Sequence, residues 1–555
     1  VEKTDTPKAK LQRKAALWNE RSSWVSHWRE VSEAFQPRLG RYFVDDVNRG
    51  AKRGTSIYDN HGGMASRTLA AGMMSGMTSP ARPWFKLDLA DKDLMESQRV
   101  KTWLNTSAQL MRTIYAQSNT YRALHCGYEE LGLFASWATI CLPDYDNVLH
   151  HYPLTVGEYA LACNYKGYVD TLAREFKMTV VQLVRKFGKD NCSQTVRNLF
   201  DSNKLDAWVP VAHIIEPREE RDTRKMDAKN MKWASCYIEA GRENPDKFLR
   251  ESGFKRFPVL APRWEVTGND IYGHGPGMMA LGDARSLQHE QLRKAQAIDY
   301  KVNPPLQVPT AYKEQTMNRL PGGIMFVDAT SAGGGVRSAF QVDLDLGALR
   351  EDIQDVRQRI DRAFYVDLFM MLANDTRSNI TATEVAERHE EKLVMLGPVL
   401  ERLHNELLSP MIDLTFDYCL EAGILPPIPD ELQGNEINVE FTSTLAQAQR
   451  IVAAGGVERV LNVVGVISQM KPDIVDKINF DQIIDDTGTM YGVNPEIIIP
   501  DERVAEIRAQ RAQAEQAAQQ GAAMAQAAEA AKTVGDTNTD GVKDALSMFQ
   551  GYSGG

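Results

Sequence analysis

Cysteine is scarce, six in 555 residues. Cys126, Cys141, Cys163, Cys192, Cys236 and Cys419 are scattered, and none forms a Cys-x-x-Cys pair. That spacing argues against a zinc site or a disulfide framework and for buried free thiols in a reducing compartment. No apolar run approaches the roughly 18 residues a membrane-spanning helix needs. The opening Val1-Glu-Lys-Thr-Asp5 lacks the apolar core of a signal peptide. A basic surplus is missing too: 64 Lys and Arg stand against 74 Asp and Glu, a formal charge of −10. This balance argues against tight coating of nucleic acid, though not against a surface past which DNA must slide without being gripped. No phosphate-binding lysine loop is present, so the chain is not expected to be an ATP-driven motor. Gly72-Met-Met-Ser-Gly76 has the wrong spacing for a serine nucleophile elbow. His150 and His151 are adjacent but have no partner at metal-ligand spacing.

What is present is an ordinary globular composition, 43% hydrophobic and 25% charged, in a chain long enough for about two to four domains. The central feature is Tyr272-Gly-His-Gly-Pro-Gly277, a glycine hinge that feeds a polar helical run stopping at Asn303-Pro-Pro305. Its G-x-G-x-G spacing with Pro276 inside does not fit a dinucleotide loop. A second helical run starts about forty residues on: Leu346, Ile353 and Ile360 repeat every seven, a narrow coiled-coil seam. Between them, 303–345 turns to Pro, Gly and β-branched residues. Two helices around a β-like insert describe a hairpin-shaped column, each helix of about 25 residues spanning roughly 37 Å.

Around this column, 8–36 reads as one amphipathic helix ended by Pro37, with Trp24 and Trp28 as core or inter-subunit packing anchors. Residues 57–80 hold a Gly/Ala/Met helix, 84–89 alternate like a strand, and about 91–140 is mainly helical. From 148 to 270 the text is β-rich, with turns at Asn164-Tyr-Lys-Gly167 and Glu243-Asn-Pro-Asp246 and a helix at about 178–188. Thr381-Ala-Thr-Glu384 fits a capping box opening a long run to Ala422, with kinks expected at Pro398 and Pro410. A short strand at 437–441, short helices over 444–497, an Ala/Gln-rich helix at 501–531 and a polar tail follow. The fold class is α+β, mainly α.

Four stretches, in this order, resemble the portal (head-to-tail connector) proteins of short-tailed, podovirus-type phages. The first is Ile57-Tyr-Asp-Asn60 through Leu69-Ala-Ala-Gly72 to Thr78-Ser-Pro80 and Pro83-Trp-Phe85. The second is Tyr159 to Val169 with Arg174 and Gln182-Leu183. The third is Arg263-Trp264 with Tyr272–Gly277 and Leu281-Gly-Asp283; the fourth is Asn379-Ile-Thr-Ala-Thr-Glu-Val385. The resemblance covers roughly 10 to 450. It implies a phage portal fold of wing, two-helix stem, clip, tunnel loop and helical crown, assembled as a ring of about twelve copies. The wing would be 1–277, the stem helices 278–302 and 346–372, the clip 303–345 and the tunnel loop 373–380. A kinked wing helix and strand would take 381–444, the crown 445–535 and the tail 536–555.

The function so implied is non-enzymatic: a structural ring at one capsid vertex through which double-stranded DNA is packaged and later ejected. Implied partners are further copies of the chain, the DNA, the terminase large subunit, tail adaptor or nozzle proteins, and capsid and scaffold proteins, with no membrane. The place is the head–tail junction of the virion, after assembly in the host cytoplasm. Alternatives are a head–tail adaptor or tail-tube ring, and a phage hydrolase. Channel-facing expectations are Lys294 and Lys301 on the first stem helix, Arg350 and Arg357 on the second, and Arg377 and Asn379 in the loop. For the stem residues a solvated face or an inter-subunit salt bridge is the stronger reading; for the loop pair the two weigh equally. No cofactor is expected. Asp536, Asn538 and Asp540 match the start of a calcium loop, but Ser547 stands where a bidentate Glu belongs, which favours a plain polar turn.

Overall fold

The computed structural model describes residues 6–42, 57–89, 97–225, 227–241, 247–302, 346–374, 396–432, 437–443 and 501–534, with a few shorter pieces. The chain divides into two compact units, one of residues 1–90 and 103–458, the other of 91–102 and 459–555. The architecture is helix-rich α+β.

The first unit opens on two helices where the hydrophobic pattern predicts one. α1 (Pro7–Glu20) begins at a Thr6 cap with Pro at its first turn; α2 (Ser22–Phe35) follows after Arg21. The joint has a cause. The Arg21 side chain is buried and donates to the Tyr159 carbonyl and, at 3.0 Å, to that of Gly157. Those partners draw the helix onto a sheet edge.

That sheet is antiparallel with order β4 (Tyr159–Cys163), β5 (Val169–Thr179), β6 (Trp208–Pro217), β7 (Trp233–Glu239), β8 (Arg250–Phe254). The turn expected at 164–167 joins β4 to β5. Asn164 Oδ1 accepts from the amides of Lys166 and Tyr168, and Gly167 takes φ +82°, where a side chain would be strained. After β5, α6 (Val180–Phe187) starts with a full capping box, Thr179 with Gln182. Together with α7 (Gln194–Asp201), it covers one sheet face through Val180, Leu183, Phe187 and Val196 against Val211, Tyr237 and Leu249. A smaller sheet, order β3 (Val148–Leu154), β2 (Ala138–Asp144), β9 (Val259–Leu260), and a β1 (Phe85–Leu89) to β12 (Ile437–Phe441) ladder complete the strands that position the site. The turn expected at 243–246 lies outside the described residues.

The small-residue helix α3 (His61–Met77) is buried along most of its length, because glycine lets neighbours close on it. A Cβ at Gly72 would overlap the Phe369 ring, and one at Gly62 would stand 2.7 Å from Phe35. The 91–140 helical stretch resolves into α4 (Gln98–Gln117) and α5 (Thr120–Phe134), after which the chain turns into β2.

Beyond the short α8 (Pro276–Met279), α9 (Leu281–Val302) runs outward and α10 (Leu346–Ala363) returns antiparallel beside it. Buried residues on α9 end at Leu287; on α10 burial begins at Ile353 and continues through Val356 and Ile360. The distal half of the pair therefore leaves the core. The run read as one helix over 346–372 breaks at Phe364-Tyr365, where Tyr365 adopts φ +54°, before α11 (Val366–Asn374). Phe364 packs edge-on against Phe35, ring centroids 5.6 Å apart, which pins the break. The helical chain from 396 passes through a π-helical turn, His404–Leu408, into α12 (Ser409–Glu421). The irregularity thus sits just before Pro410, whose missing N–H cannot bond the Glu406 carbonyl. The 381–384 cap, the 444–497 helices and most of the 303–345 insert lie outside the described residues. A two-residue ladder, β10 (Leu306–Gln307) with β11 (Arg337–Ser338), is described within that insert.

In the second unit, α13 (Asp501–Val534) is a single helix, about 51 Å long at the usual rise, with its described side chains largely exposed. Its many alanines stabilise it by propensity while giving it little to bury.

Candidate functional site

Polar chemistry in the first unit concentrates where the α9/α10 hairpin meets the body. The segment 57–61 staples both helices. Gln288 Oε1 accepts from the amides of Tyr58 (2.6 Å) and Asp59 (2.9 Å), while its Nε2 donates to the Asp59 carbonyl at 2.7 Å. From the Asp59 side chain, Oδ2 accepts from Gln291 at 2.8 Å and from Arg357 at 2.7 Å, and Oδ1 accepts from the His61 amide. His61 itself contacts Asp361 at 2.9 Å, and Arg359 reaches Asp283 at 3.0 Å. Burial alone would raise the Asp59 pKa. The bonds from Arg357 and His61 outweigh it and hold the carboxyl below its ordinary value. Asp59 is therefore an ionised clamp touching α9 and α10 at once.

A second knot ties the sheet region to the π-helical turn. Arg263, 3% exposed, gives Glu406 its Nη2 (2.6 Å), its Nε (3.2 Å) and its backbone amide (3.0 Å). Its remaining donors reach the carbonyls of Gly167, Asp270 and Ile271. Burial would lower the guanidinium's pKa, but the Glu406 carboxylate more than offsets it and the net direction is up. Glu406 faces Arg263 from within the wider π-helical turn at 404–408, where the ladder takes in an extra residue.

The glycine-rich stretch 272–277 is a docking surface for the end of α5, not a hinge. A Cβ on Gly273 would strike the Ala135 carbonyl, and one on Gly277 the Leu133 carbonyl. The Gly273 amide donates to Ser136 Oγ at 2.8 Å. None of Gly273, Gly275 and Gly277 has a positive φ. Glycine is needed here for closeness of two backbones. Tyr272 lies under Trp28 and Trp24, ring centroids 5.0 and 5.8 Å away, and its hydroxyl accepts from the Leu161 amide.

The residues singled out in the sequence fall in different places. Ile353 and Ile360 are buried; Leu346 opens α10, but its side chain is outside the described residues. Lys301 and Arg350 are exposed on the distal half of the hairpin, and Lys294 is half-buried. Arg357 is held by Asp59 within the subunit, which accounts for it without any nucleic acid. Arg377, Asn379, Asp536, Asn538 and Asp540 lie outside the described residues. Sequence reasoning did not find Asp59, Gln288, Arg263 and Glu406 as clamps. The signals available were Ile57-Tyr-Asp-Asn60 and Arg263-Trp264, which it used only as family marks.

Among the described residues no cluster of His, Cys, Asp and Glu is placed to hold a metal. Among the described residues Ser235 Oγ lies 2.9 Å from His213 Nε2. Both residues are buried, and Arg174 donates to His213 Nδ1, which leaves Nε2 carrying the proton. An imidazole so held cannot take a proton from serine. No described helix is long and apolar enough to cross a membrane.

The described polar clusters hold helices in place at the base of a hairpin whose distal half leaves the core. The family described as "Bacteriophage head to tail connecting protein" matches residues 8–499. The chain is 54% identical to the "Probable portal protein" of Bordetella phage BPP-1 over 546 residues, 98% of each chain. It is 44% identical to the "Portal protein" of Salmonella phage epsilon15 over 530 residues, 95% of each. A chain from a solved "Virion of native gene transfer agent (GTA) particle" aligns at 12% identity and TM-score 0.30, covering 73% of this chain and 86% of that one. This chain belongs to the bacteriophage head-to-tail connecting protein family. Its role is structural, that of a portal at the capsid vertex.

Proposed function

We propose that copies of this chain close into a ring, about twelve by family habit, around a channel for double-stranded DNA. The packaging motor docks on the 303–345 clip while DNA enters, and tail proteins take the same surface afterwards. The observation that carries this reading is the antiparallel α9/α10 hairpin, clamped at its base by Asp59, with Leu287 the last fully buried residue described on α9. A lone subunit has no use for such a column; a ring of them makes a tube. The exposed Ile298 and Val302 give its distal end apolar area for a neighbouring copy to cover.

DNA carries a negative charge about every 1.7 Å of its axis, so a channel that paired with each phosphate would stall it. A chain of net charge −10, with isolated basic side chains such as Lys294, Lys301 and Arg350, meets that demand. Ring symmetry turns each into a discrete collar. Arg377 and Asn379 are proposed for the same role in the loop that follows.

The test is negative-stain electron microscopy with mass photometry on the purified chain, alone and with scaffold protein. Rings with a central hole near twelve subunit masses support the proposal. A chain that stays single in both conditions refutes it.

A further inference from the structure

The five-stranded sheet carries a cavity of about 570 Å³ between the end of α6, the segment at Lys229 and the start of β8. Among the described residues, Lys186, Lys229, Lys247 and Arg250 line it against a single carboxylate, Glu251. That carboxylate is already shared, 3.3 Å from Arg218 and 3.8 Å from Lys229. Lys247 donates to the Asp190 carbonyl, which supplies no charge. Lys186 lies over the faces of Phe187 and Tyr237, and neither it nor Arg250 has a carboxylate partner among the described residues. Behind them stands a further cation: Arg174 is buried and rests on the His213 ring nitrogen and the Phe176 face. Partial burial, then Arg174 and Arg250, push the Lys186 pKa down, as crowding of like charge requires.

In a chain of net charge −10, this is a local surplus of positive charge around a hollow. We propose that the cavity binds a ligand carrying two or more phosphate groups. Three lysines and one arginine around one hollow present many N–H donors to dispersed anionic oxygens, which an oligophosphate or a run of phosphodiesters supplies. An acidic peptide fits less well. Its carboxylates would each offer two oxygens on separate side chains, whereas the cations here crowd one hollow, and the 228–231 segment packs on β8 at Gly253, where a Cβ would stand 2.5 Å from the Ala228 carbonyl. The cavity serves neither the hairpin nor its clamp, so this proposal stands apart from the channel reading.

Titration calorimetry of the full chain with tripolyphosphate at low salt tests it. One site per chain is expected, weakened about tenfold by Lys186→Met and by Arg250→Gln, each of which keeps a side-chain stem in place. Lys204→Gln, exposed in the same region but outside the cavity, leaves affinity unchanged. Competition by a short DNA duplex would identify a nucleic-acid backbone as the source; its failure would identify a free phosphate compound. No heat up to about millimolar tripolyphosphate overturns the proposal. So does binding that neither cavity variant weakens, or binding of an acidic peptide where tripolyphosphate fails.

Discussion

Replacing Glu406 by Gln tests whether the Arg263 knot holds the sheet region to the π-helical turn. The wild-type carboxylate accepts four bonds: three from Arg263, and one from Arg402 at 3.2 Å. An amide of the same shape keeps one acceptor oxygen and turns an NH₂ toward the remaining donors. At least one Arg263 bond becomes a donor–donor contact, and the buried guanidinium loses its counter-charge. Hydrogen bonds to charged groups contribute about 1.5–3 kcal/mol each, and removing one partner of a buried pair costs about 3–5 kcal/mol. The expected loss is in that second range. Because the chain is large, the readout should be local: hydrogen exchange over 263–271 and 402–408, where protection reports the free energy of opening. A loss of about two to three and a half orders of magnitude is expected, at about 1.4 kcal/mol per tenfold. Arg263→Met with Glu406→Leu should recover part of it, since an apolar pair avoids the unpaired charge but still strands the carbonyls of Gly167, Asp270 and Ile271. A loss below about tenfold in Glu406→Gln, or additive effects in the double variant, would refute the reasoning.

Asp59→Ala removes the acceptor shared by Gln291 and Arg357 and should cost about 1–3 kcal/mol, read as faster exchange at 286–291 and 353–361 with the sheet unaffected. Glu130 is buried, and burial pushes its carboxyl up to about 8 despite bonds from Thr155 and the Val156 amide. Between its ordinary value and 8 the folded chain keeps a proton that the unfolded chain has released, so stability should fall as pH rises through that window, by about 1.4 kcal/mol per pH unit. Glu130→Gln should flatten that slope in melting curves from pH 5 to 8; parallel curves would count against it. Gly72→Val should overlap Phe369 and lower the melting temperature by an amount reflecting about 1–3 kcal/mol, whereas Gly167→Ala, with open space but φ +82°, should cost about 1 kcal/mol.

Much of the element content was legible because its signals are local. The helix expected at about 178–188 is found, the turn at Asn164-Tyr-Lys-Gly167 is found, and the strands expected at 84–89 and 437–441 both form, though their pairing into one ladder was not foreseen. The joint at Arg21 and the break at Tyr365 were not legible, since each is imposed from afar: the first by the carbonyls of Gly157 and Tyr159, the second by Phe364 seated on Phe35. The glycines at 272–277 show how one letter carries two meanings. Flexibility and closeness both ask for glycine, and only the position of Ala135 and Leu133 decides between them. The Asp59 clamp was hidden because its partners lie 229 to 298 residues away.

The left-handed residue at 365 gives the hairpin a mechanical character. α10, about 27 Å long, is joined to α11 through that left-handed residue and not as one continuous rod. Its proximal half is wedged into the body through Ile353, Val356 and Ile360, and three polar ties brace it there: Arg357 to Asp59, Asp361 to His61 and Arg359 to Asp283. Force applied at the far end would meet that brace before it reached the break at Tyr365, so the column is stayed at its base by several side chains and not by its own backbone.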